Sequence, residues 1–110
     1  MMRNPIQAMI QNQLASFQEG LAEAMEQLSA AEMEGSAGGG AVKVKITGMG
    51  EVTAVRIDPQ VADPDDVELL QDLVCAAVRE ALRKASELKR ERIMSSTPLG
   101  SLGVDLPDIF

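Results

Sequence analysis

The stretch from Gly38 to Pro59, GGGAVKVKITGMGEVTAVRIDP, constrains the fold of this chain more than any other, because it alone has strand character. Val42, Val44 and Ile46 alternate with Lys43, Lys45 and Thr47, the period of a half-buried strand. Gly48-Met49-Gly50 supplies a reversal, since glycine tolerates positive φ. A second β-branched run, Val52 to Ile57, ends at Asp58-Pro59. The pattern reads as an antiparallel hairpin with one apolar face to cover. Ahead of it, Glu34-Gly35-Ser36-Ala37 followed by three glycines reads as a flexible loop or a short edge strand. The strand is the reading adopted, which makes three strands.

Long helical patterns flank this region. Asn4-Pro5 places a capping side chain before a first-turn proline. Ile10, Leu14, Phe17, Leu21, Ala24, Leu28 and Ala31 then recur at spacings of four and three, a heptad seam of the coiled-coil kind. Gly20 weakens this helix by roughly 1 kcal/mol relative to Ala without ending it. A helix from Pro5 to about Met33 spans roughly 40 Å, more than a hairpin of six-residue strands can cover. Part of the seam formed by Ile10, Leu14, Phe17, Leu21 and Leu28 must therefore meet something else, and a partner helix is the natural candidate. The second helix is expected over about 64–94. Asp63-Pro64 starts it, Val67, Leu70, Leu73, Val74, Ala77, Val78, Ala81, Ala85 and Leu88 form its apolar stripe, and Lys89, Arg90 and Arg92 close it. Residues 95–110, rich in Ser, Gly and Pro, read as a flexible C-terminal tail.

A chain of 110 residues is one small domain. With two Phe and neither Trp nor Tyr, its core must come from aliphatic side chains, so oligomerisation is expected on physical grounds. The lone Cys75 excludes an intrachain disulfide; it reads as a small buried hydrophobe in a reducing compartment. No stretch reaches membrane-spanning length and no apolar signal core opens the chain, so a cytoplasmic protein is expected. There is no His, and the thiol has no base beside it, which argues against nucleophilic catalysis and imidazole metal sites. The glycines at 38–40 lack a following Gly-Lys-Ser/Thr and precede a strand, unlike a phosphate loop. Asp63, Asp65 and Asp66 lack the Gly and bidentate Glu of a calcium loop and read as helix caps. Neither an enzyme nor a cofactor is expected.

Charge is the remaining signal. The net charge of −7 speaks against a simple basic nucleic-acid binder. Its distribution is uneven, with Arg3 the only base among residues 1–34, whereas Arg79, Arg83, Lys84, Lys89, Arg90 and Arg92 crowd residues 79–94. At about 100° per residue, Arg79, Arg83 and Arg90 fall within about 40° of one another, opposite the apolar stripe. Glu80 and Glu87 lie three or four residues away and partly neutralise that ridge.

The order of these features resembles the YbaB/EbfC family of bacterial nucleoid-associated proteins, from about residue 8 to residue 94. The residues that carry the resemblance are Gly-Ala-Val-Lys-Val at 40–44, Gly48, Val55-Arg56-Ile57-Asp58-Pro59, and Leu70-Gln71-Asp72-Leu73-Val74 leading into Ala76-Ala77. The resemblance implies an α+β, two-layer α-β-β-β-α fold, with a small antiparallel sheet between two long helices, assembled as a homodimer. It further implies binding of double-stranded DNA with little sequence preference, a role in organising the nucleoid, and helices that project from the dimer to grip the duplex. Relatives commonly carry several lysines along the first helix, where this chain has only Arg3. The DNA-binding role therefore transfers to Arg79, Arg83, Lys84, Lys89, Arg90 and Arg92, with Arg3 the sole candidate on the first helix. A second reading, from a different class, is a dimeric interaction or scaffolding module that recruits recombination or replication proteins.

Overall fold

The computed structural model describes residues 5–97. Arg3 and residues 98–110, most of the expected tail, lie outside the described residues. The order is α1 (Pro5–Ala30), β1 (Glu32–Ala37), β2 (Val42–Thr47), β3 (Val52–Ile57), a 3-10 turn (Pro59–Val61) and α2 (Val67–Ser96). This is the expected α-β-β-β-α architecture, with the ambiguous Glu34–Ala37 segment formed as a strand.

The three strands make one antiparallel sheet in the order β1-β2-β3. Gly38, Gly39 and Gly40 all have positive φ (64°, 66° and 95°), so the run of three glycines is what lets β1 turn back into β2. In the second reversal only Gly50 takes a positive φ, 88°. Gly48 is needed for a different reason: a Cβ there would sit 2.8 Å from the Leu28 carbonyl oxygen, where the end of α1 meets the sheet. The Gly48 amide donates to the carbonyls of Leu28 and Ala31 at 3.0 and 3.2 Å.

The strand period predicted from sequence determines the core. Val42, Val44 and Ile46 are fully buried and meet Ala77, Ala81 and Ala85 of α2. Each β2 side chain contributes about 1.5–3 kcal/mol through burial. On β1, Gly35 lies directly beneath α2, and a Cβ there would fall on the backbone of Ala77 and Ala81. The sheet and α2 are close because one side presents glycine and the other alanine.

Both helices differ at their ends from the sequence reading. Asp63 closes a turn instead of the helix, its carboxylate accepting from the Asp65 amide at 2.9 Å. Asp66 is the true cap, accepting from the Leu69 amide at 3.2 Å, so α2 begins at Val67. At the far end α2 runs on to Ser96, a turn beyond its cations, and the Thr97 hydroxyl donates to the Ile93 carbonyl at 2.6 Å. Cys75 contradicts expectation. It is exposed, because it lies about 120° around the helix from the buried alanines.

The seam of α1 divides. Leu28 and Ala24 are fully buried, and Phe17 and Leu21 are half-buried, whereas Ile10 and Leu14 remain 61% and 55% exposed. Gly20 marks the crossing with α2, since a Cβ there would land on the Ser96 carbonyl. Gly20, read as a weak point of the helix, is thus the contact that lets the two helices touch. Since α2 ends there, the first four turns of α1 extend past it with their apolar stripe uncovered.

Gly35→Ala is expected to cost about 3 kcal/mol, because overpacking forces α2 off the sheet. Gly39→Ala, where a Cβ meets nothing within 4 Å, is expected to cost only the left-handed strain of about 1–2 kcal/mol. Urea midpoints at matched protein concentration compare the two.

Candidate nucleic-acid interface

The side of α2 opposite Ala77, Ala81 and Ala85 faces solvent, and it carries Arg79 and Arg83, both exposed. Arg79 has no ion-pair partner among the described residues. Arg83 donates to Glu87 at 2.9 Å, with both side chains more than half exposed (60% and 63%). An exposed i,i+4 pair of this kind contributes only a few tenths of a kcal/mol. A phosphate can displace Glu87 at little cost.

The other predicted cations stand differently. Lys84 faces inward: its ammonium donates to the Glu34 carbonyl of β1 at 2.8 Å and pairs with Glu80 at 3.1 Å. It ties α2 to the outer strand, and its charge is already engaged. Lys89 is half-buried and lines an open groove of about 210 Å³ with Gly48, Met49, Gly50 and Leu82. Arg90 is half-buried as well, so the ridge drawn from helical angles is interrupted there. Arg92 is half-buried, without an ion-pair partner among the described residues. The outward set is therefore Arg79 and Arg83, while Lys89, Arg90 and Arg92 stand half-buried further along the same helix.

Two further cations, on the hairpin, lie outside the candidate set read from the sequence. Lys43 of β2 and Arg56 of β3 are directly opposed across the strands, and both are exposed. The signal was present, because Lys43 is second in its strand and Arg56 second from the end of the next, positions that a hairpin brings together. Among the described residues no group of His, Cys, Asp or Glu could hold a metal ion, and no helix is long and apolar enough to cross a membrane.

The described residues thus form an antiparallel sheet backed by a helix that presents two exposed arginines on its outer side. The YbaB/EbfC DNA-binding family model matches residues 2–100, and the chain belongs to that family. It is 44% identical over 106 residues to a nucleoid-associated protein of Dictyoglomus turgidum, covering 96% of both chains. It is 46% identical over 99 residues to one of Saccharopolyspora erythraea, covering 90% of this chain and 84% of that one. A Mycobacterium bovis nucleoid-associated protein is 48% identical over 81 residues, 74% of this chain and 61% of that protein. The fold is similar to the crystal structure of the uncharacterized protein HP0035 from Helicobacter pylori. The TM-score is 0.69 at 20% identity, over 82% of this chain and 92% of that one.

Lys84→Ala is expected to cost about 1.5–3 kcal/mol, the usual worth of a charge-assisted hydrogen bond, and Arg79→Ala less than about 0.5 kcal/mol. Thermal unfolding of the two variants side by side checks the assignment of Lys84 to the fold.

Proposed function

We propose that this protein is a cytoplasmic, nucleoid-associated homodimer that binds double-stranded DNA through its phosphates, with little base preference, and so organises the nucleoid. The observation that carries the reading is the exposed Arg79–Arg83 ridge on the side of α2 opposite the sheet. Guanidinium groups in this position suit phosphate oxygens, with which they form paired, charge-assisted hydrogen bonds. α2 has no Asn and a single Gln, Gln71, to accompany its arginines, so it lacks the paired readers that major-groove recognition uses, which fits backbone contact over base readout. Lys89, Arg90 and Arg92, half-buried further along α2, add positive charge near its C-terminal end, Arg3 is a further candidate contact, and Lys84 supports α2 from beneath.

The sheet supports the dimeric part of this reading. α2 covers β1 and β2, and leaves Val52, Val55 and Ile57 of β3 41–49% exposed. β3 is also an edge strand, with one row of backbone groups unpaired. A second copy laid against this strand and against neighbouring Leu82, itself 46% exposed, would cover an apolar surface that a small core cannot spare. The dimer would double the arginine ridge. The scaffolding reading rests on the uncovered stripe of Ile6, Met9, Ile10 and Leu14 on α1, which a recombination or replication protein would fit.

Binding to a short duplex should weaken steeply with salt and be insensitive to base composition. Replacing Arg79, Arg83 and Arg92 together by Gln is expected to reduce the slope of log affinity against log salt by about 0.9 for each phosphate that is no longer neutralised. Fluorescence anisotropy across a salt series measures this. An unchanged slope would leave the ridge without its role. Val55→Asp should convert a dimer into a monomer in light scattering, whereas Thr53→Asp should not.

A further inference from the structure

The face of the sheet turned away from α2 is bare, and its charge is sorted along its length. At the end near α1, Glu32 and Glu34 accompany Lys45, which pairs with Glu32 at 3.6 Å. At the opposite end, beside the glycine turn, Lys43 and Arg56 face each other across neighbouring strands. Neither has an ion-pair partner among the described residues. Like charges directly opposed on a sheet are destabilising. In a chain of net charge −7, two opposed cations that form no ion pair go against the local preference of the sheet.

Their surroundings form a shallow open depression of about 370 Å³, walled by Gly40, Ala41, Ile57 and Pro59. Asp58 lines the same depression, and one oxygen of its carboxylate accepts from the Gln60 amide at 2.9 Å in capping the 3-10 turn. With no side chain at Gly40, an approaching strand of phosphates reaches Lys43 without obstruction, since the Lys43 stem is the only group a Cβ there would meet within 4 Å. Two adjacent cations on a flat, wet face with small residues at the edge match a phosphodiester backbone better than a small ligand, which needs enclosure.

We infer that the Lys43–Arg56 pair is a second phosphate-binding surface, and that it holds a duplex segment separate from the one held by α2. The inference rests on the DNA-binding reading above. It goes beyond it because α2 and the Lys43–Arg56 pair lie on opposite faces of the sheet, so one straight duplex cannot touch both. The protein then bridges two duplex segments, one on each face.

A capture assay tests the bridge. A duplex fixed to beads is loaded with the full-length protein and offered a second, fluorescent duplex, with Lys43→Glu and Arg56→Glu compared to wild type. Each reversal is expected to reduce capture of the second duplex by roughly fivefold or more, while affinity for a single duplex changes by less than about twofold. Lys43→Glu also creates an opposed ion pair with Arg56, so its melting temperature should hold or rise by roughly 1–4 °C. Loss of capture at unreduced stability excludes a merely structural role. If capture survives both reversals, or if wild type binds one duplex and never captures a second, the inference is overturned and single-duplex binding by α2 stands. If wild type binds no duplex at all, the proposed function fails, and the bridge with it.

Discussion

The close approach of α2 to the sheet is the constraint on which the rest of the structure depends. It needs two things at once: no side chain at Gly35, and methyl groups only at Ala77, Ala81 and Ala85. With that contact made, Val42, Val44 and Ile46 are sealed without a single aromatic residue. The same contact determines the rotation of α2 about its own axis. Because the alanines must face inward, Arg79 and Arg83 must face outward, so the exposure of these two arginines is a consequence of packing. Lys84 reinforces that rotation by reaching back to the Glu34 carbonyl.

A second theme is coverage. One helix is wide enough for two strands, and β3 is left with apolar side chains facing solvent. At the other end of the molecule, α1 outruns α2 and leaves Ile10 and Leu14 bare. A chain this small has too little apolar surface to leave such areas unused, and both uncovered regions are at places where a second molecule can reach. The acidic balance of the chain acts alongside. Among the described residues Lys45, Arg83 and Lys84 are held in ion pairs, whereas Lys43, Arg56, Arg79 and Arg92 are in none.

Much of this was legible in the sequence. The alternation at Val42–Thr47, the reversal at Gly48–Gly50 and the stripe from Leu70 to Leu88 are local periodicities, and local periodicity survives into the fold because it decides which face is apolar. Ends were harder to read. Two aspartates compete to start α2, and the sequence favours Asp63 before Pro64, yet Asp63 closes a turn and Asp66 takes the cap. Cys75 was read as buried because its neighbours are apolar, but the helix angle places it outside. Gly20 and Gly48 could be judged only as flexible positions, since the groups they admit, Ser96 and Leu28, are remote in sequence.

The sequence by itself determined the elements, their order, the family, and the clustering of cations in residues 79–92, because each of these depends on neighbours a few residues away. The tertiary structure decided which cations are available. Lys84 is taken by a carbonyl 50 positions earlier in the chain, Arg90 is half-buried although its helix angle matches that of exposed Arg79 and Arg83, and Lys43 is set against Arg56 by strand register. Charge is written residue by residue. Whether a charge is free depends on what the fold brings beside it, and that is decided by contacts between segments remote along the chain.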